Sequence, residues 1–132
     1  MGTGESIRII KRVQKKLAQL EKDVNGAEYV AVIEGIRAAP FPDLRKACFA
    51  IVRRAGGEDE TAGNRPALEK KYNALKEELE KWYSIATLGT RGSKIKEGEF
   101  EDSYQNVVKA LADFLALAEK EAKAEGLEEV EV

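Results

Sequence analysis

Apolar residues recur along this chain at alternating steps of three and four, the signature of one face of an α-helix, and Gly and Pro collect between the runs. From Glu5 to Val24 the stripe is Ile10, Val13, Leu17, Leu20 and Val24, and Asn25-Gly26 predicts the helix end. A shorter helix over Ala27 to Ala38 carries Tyr29, Val32, Ile33 and Ile36, and Pro40-Phe41-Pro42 forbids its continuation. Asp43 to Arg54 predicts a third helix with Leu44, Cys48, Ile51 and Val52 inward, closed by Gly56-Gly57. After a polar loop, Asn64-Arg65-Pro66 opens a fourth helix that runs to Thr87 with Leu68, Tyr72, Leu75, Leu79 and Trp82. Gly89 to Gly98, with Arg91, Lys94 and Lys96, reads as an exposed basic loop. The last helix spans Glu99 to Glu125 on Phe100, Tyr104, Val107, Leu111, Phe114 or Leu115, and Ala118.

No strand-like alternation competes with these five helices, so the expectation is an all-α fold. Two long seamed helices pair antiparallel, and the second and third complete a bundle of about four helices. The first helix is then additional, a basic amphipathic arm over residues 1–25 beside a bundle body over 26–126 and an acidic tail over 127–132. An arm outside the bundle needs a partner for its stripe, because a lone surface helix is marginal. Ile10, Val13, Leu17 and Leu20 are therefore expected at a subunit interface.

Composition narrows the functions. The 132 residues, 43% apolar and 35% charged, suit one domain. Histidine is absent, which removes the usual neutral-pH acid/base group and the commonest metal ligand. The single cysteine, Cys48, on the apolar side of its helix and with no His to activate it, reads as a small buried hydrophobe. Carboxylates at Glu97, Glu99, Glu101 and Asp102 suit a helix N-terminus and lack calcium-loop spacing. Gly89 to Lys94 resembles a phosphate-binding loop only in composition. No catalytic, cofactor or metal residue is expected, and the chain reads as a binding protein. No apolar run is long enough for an integral membrane segment, and the N-terminus lacks a signal core, so a soluble cytoplasmic-type chain is expected. Met1-Gly2-Thr3-Gly4-Glu5-Ser6 fits the loose myristoylation pattern, a pattern common by chance.

Charge distribution adds the sharpest signal. The total is −2, from 22 basic and 24 acidic residues. Cut after Gly56 and Lys96, the chain holds 11 basic against 6 acidic residues, then 8 against 7, then 3 against 11, or net +5, +1 and −8. Arg8, Lys11, Arg12, Lys15 and Lys16 occupy i, i+3, i+4, i+7 and i+8, one helix face opposite the apolar stripe, with no acid between them. Arg45, Lys46, Arg53 and Arg54 add four cations at the ends of the third helix, and Phe49 projects between Arg45, Lys46 and Arg53. A solvated surface in a Lys- and Glu-rich, thermophile-like protein is the plain alternative. Segregation speaks against it, since a surface built for solubility mixes the two signs. Phosphate backbones are the matching ligand, and no motif for reading bases is present. Phe49 is expected at a subunit or inter-helix contact, with stacking or wedging against bases as the alternative.

In this architecture, an arm over Gly4 to Val24 and a helical body over Ala27 to Gly126, the chain resembles the major coat proteins of filamentous archaeal viruses. The resemblance is one of outline and composition, so it transfers no functional residue. It implies a virion protein that, with copies of itself or a related coat subunit, wraps double-stranded DNA held in the A-form. The net acidity of this chain departs from that pattern. Small all-α subunits of CRISPR effector complexes offer a second resemblance of the same kind, implying a single strand as ligand. A protein–protein adaptor inserting its first helix into a partner's groove is the third reading.

Overall fold

The computed structural model describes residues 2–126, and every regular element among them is helical. Helices α1 (Thr3–Gln19), α2 (Glu21–Asn25) and α3 (Tyr29–Arg37) precede a 3₁₀ turn (Phe41–Asp43), and α4 (Leu44–Arg54), α5 (Arg65–Thr90) and α6 (Glu99–Ala124) follow it. The acidic segment 127–132 lies outside the described residues. No described helix is long and apolar enough to cross a membrane.

The two long helices form an antiparallel hairpin. Asn64 Nδ2 donates to Glu121 Oε2 at 2.9 Å near one end. Tyr72 meets Phe114 edge-on along its length, and Trp82 packs against Tyr104 and Phe100 towards the other end. Trp82, Phe100, Tyr104 and Phe114 are all buried, each contributing roughly 1.5–3 kcal/mol or more through lost apolar exposure. Helix α3 runs along α5, with the Tyr29 ring on Gly89 and the Arg37 guanidinium donating to the Tyr83 hydroxyl.

The additional N-terminal helix is present, but it is built into the bundle and is no arm. Helix α1 packs between α4 and α6. Three contacts fix it antiparallel to α6: Thr3 Oγ1 donates to Glu125 Oε1 at 3.2 Å, Lys11 pairs with Glu119 at 3.5 Å, and the Tyr104 hydroxyl donates to the Leu17 carbonyl at 2.8 Å. Ile10, Val13, Leu17 and Leu20, expected at a subunit interface, are between 0% and 5% exposed inside their own chain. Intrachain cover wins because α4 and α6 each present an apolar face in excess of what α5 alone covers, and joining them costs no association entropy.

Three boundaries also depart from the expectation. The first helix breaks at Leu20, where Leu20 N–H bonds to the Leu17 carbonyl in a tighter turn and α2 restarts from the Leu20 carbonyl. The break aims Leu20 at α3, where a Cβ on Gly35 would meet its Cδ2 at 2.6 Å. The left-handed residue that stops α2 is Ala27 (φ 52°), one later than the Gly26 of the expected cap. Glu28 N–H reaches the Asp23 carbonyl there, which closes the helix end. Helix α5 runs to Thr90, through the start of the expected loop, because Gly89 is needed inside the helix under the Tyr29 ring.

Candidate nucleic-acid interface

The five cations of α1 divide by position around the helix. Arg8, Arg12 and Lys15 are exposed along its outer face, while Lys11 and Lys16 flank it half-buried. Lys11 turns towards α6 and its Nζ pairs with Glu119, so part of the charge gradient between the chain's two ends closes within one molecule. Glu5 is the one acid on α1, one turn before Arg8.

Helix α4 buries Leu44, Ala47, Cys48, Ile51 and Val52 and leaves Arg45, Lys46, Arg53 and Arg54 exposed. It is a neighbour of α1 in the bundle, and both helices turn their cations away from the core. The last turn of α4 lies beside the start of α1: a Cβ at Gly2 would sit 4.0 Å from Arg54 Nη1. Among the described residues no carboxylate lies within ion-pair distance of Arg8, Arg12, Lys15, Arg45, Lys46, Arg53 or Arg54. The acids concentrate on α6, where Glu99, Glu101 and Asp102 stand in the first turn and complement the helix dipole.

Phe49 is half-buried. Its ring tilts against Tyr72 at 5.0 Å, and the guanidinium carbons of Arg45 and Arg53 lie over it at 5.3 and 5.8 Å. The i, i+4, i+8 spacing sets one arginine on each side along the helix, and cation–π attraction holds them there. This is an inter-helix contact, and it gives two arginines a defined position at the surface.

Cys48 is fully buried and burial pushes its thiol up to about 12, so it supplies no nucleophile at neutral pH. Burial also raises the hydroxyls of Tyr72 and Tyr104. The adaptor arrangement loses its anchors, because the apolar stripe that would enter a partner's groove is core.

One feature escaped the sequence reading. On helix α5 the apolar stripe widens to Tyr83 and Leu88, which with Tyr72, Leu75 and Leu79 line a groove of about 600 Å³ together with Ile36 and Phe41. The spread of apolar residues around α5 beyond one stripe was the available signal. No protein-family model matches the chain, and neither a curated protein nor a solved structure is significantly similar to it.

Proposed function

We propose that this chain is a structural, non-enzymatic nucleic-acid-binding subunit that grips phosphate backbones without reading base sequence, with double-stranded DNA as its ligand. The observation that carries the reading is the set of exposed cations Arg8, Arg12 and Lys15 on α1 and Arg45, Lys46, Arg53 and Arg54 on α4, none of which has a carboxylate within ion-pair distance among the described residues. Arg8 to Lys15 covers about 10 Å of helix, enough to meet several phosphates of a duplex that carries a charge every ~1.7 Å. Repeated copies along DNA, as in a filamentous virus coat, are the assembly this suits, and the virion is then where the protein resides. With α1 packed on α4 and α6, the grip comes from helix faces held in the bundle and not from a flexible arm.

The experiment is binding of the purified chain to a labelled duplex of about 30 base pairs and to single-stranded RNA across a salt series. A variant with Arg8, Arg12 and Lys15 changed to Gln is measured beside it. The expected result is a log K that falls steeply with log salt, with a slope shallower by about 0.9 for each phosphate contact the variant loses. Preference for the single strand favours the effector-subunit reading, and absence of binding at low salt overturns both.

A further inference from the structure

The groove along α5 has a polarity. Its floor and sides are apolar, from Leu75, Leu79 and Leu88 with Ile36 and Phe41, and Tyr72 to Arg91 extends about 28 Å along the helix. Its volume of about 600 Å³ lies within the roughly 300–1,000 Å³ of small-molecule sites. Lys76 and Arg91 stand along it with one acid, Glu80. Arg45 borders this groove and also a second depression of about 530 Å³, walled by Pro42, Lys46, Phe49, Ala50 and Arg53 with no carboxylate. The apolar trench and the cationic depression thus meet at Arg45, which lines both.

We propose that this combined surface binds a single amphiphile with a phosphate headgroup, its hydrocarbon chain along α5 and its phosphate at Arg45, Lys46 and Arg53. A phosphate monoester carries up to two charges and three acceptor oxygens, which matches a cluster with two guanidinium forks better than a lone carboxylate does. A nucleic acid has no aliphatic part to cover the α5 trench. The groove is lined by Arg45, Lys76 and Arg91 against the one acid Glu80, so a second copy docked face to face meets a net like charge. Because Arg45, Lys46 and Arg53 belong to both surfaces, amphiphile and DNA compete at α4.

The test is a chemical-shift titration of the full isotopically labelled chain with n-decyl phosphate below its micelle concentration, with inorganic phosphate, and with neutral n-decyl maltoside. Decyl phosphate is expected to saturate at one per chain and to move amides at both Tyr72–Leu79 and Arg45–Arg53. Phosphate alone and the maltoside are each expected to bind more weakly by about tenfold. Leu79→Gln, half-buried in the groove, and Lys46→Glu, exposed, each weaken decyl phosphate by about tenfold, and only Lys46→Glu also weakens inorganic phosphate. Equal affinity for decyl phosphate and decyl maltoside overturns the proposal, as does the absence of a saturable shift. Concentration-dependent shifts of the same α5 amides without amphiphile also overturn it, and assign the groove to a second copy.

Discussion

The Tyr104 hydroxyl of α6 donates to the Leu17 carbonyl of α1 at 2.8 Å, deep in the bundle and 87 residues away along the chain. The bond falls where α1 is about to break at Leu20, so Tyr104 supplies a donor to a carbonyl that the interrupted helix serves only through the Leu20 N–H. Tyr104→Phe keeps the ring against Trp82 and removes the bond. Unfolding in denaturant is expected to show a loss of about 1 kcal/mol with an unchanged m-value.

Ile10 is fully buried between α1 and its neighbours. Ile10→Ala is expected to cost about 2–5 kcal/mol of stability through the cavity it leaves. A subunit-interface role instead predicts an unchanged monomer stability, so chemical denaturation at two protein concentrations separates the two.

Lys11 and Arg12 are adjacent in sequence and differ in surroundings, since only Lys11 faces Glu119. Lys11→Gln is expected to weaken DNA binding less than Arg12→Gln, and Glu119→Gln to strengthen it, measured as the change in K at fixed salt. Equal effects of the two cation substitutions contradict this ordering.

Ala27 holds a left-handed backbone (φ 52°) at an exposed position, a conformation that costs an L-residue roughly 1–2 kcal/mol. Ala27→Gly is expected to raise stability by up to about 1 kcal/mol despite the extra freedom of glycine when unfolded. Gly89→Ala works the other way, because its Cβ would lie 2.5 Å from the Tyr29 ring, and it is expected to cost about 1–3 kcal/mol. Thermal melts of both variants beside the parent chain check the pair of signs.

Cys48 keeps its proton to about 12 when folded, against 9.0 for an ordinary thiol. Between those values the unfolded chain has released the proton and the folded chain has not, so stability falls as pH rises from 9 towards 12. The limiting slope from this group is about 1.4 kcal/mol per pH unit, and Cys48→Ala removes it. The raised hydroxyls of Tyr72 and Tyr104 act in the same direction at the upper end of that window.

The sequence by itself determined the helices and the segregation of charge, because both are written in local spacing: a step of three or four places residues on one face whatever lies beyond it. It therefore carried the all-α fold and the outward direction of Arg8, Arg12 and Lys15. Only the tertiary structure decided what covers each apolar face. Periodicity shows that Ile10 and Leu17 need cover, but not whether α4 and α6 or another chain supplies it, since the burial energy is the same in kind. The choice of Ala27 over Gly26 at the helix stop, the passage of α5 through Gly89, and the pairing of Lys11 with Glu119 depend on contacts between residues far apart in the chain. The α5 groove arises in the same way, as the edge of the α5 stripe that α3 and α4 flank without closing.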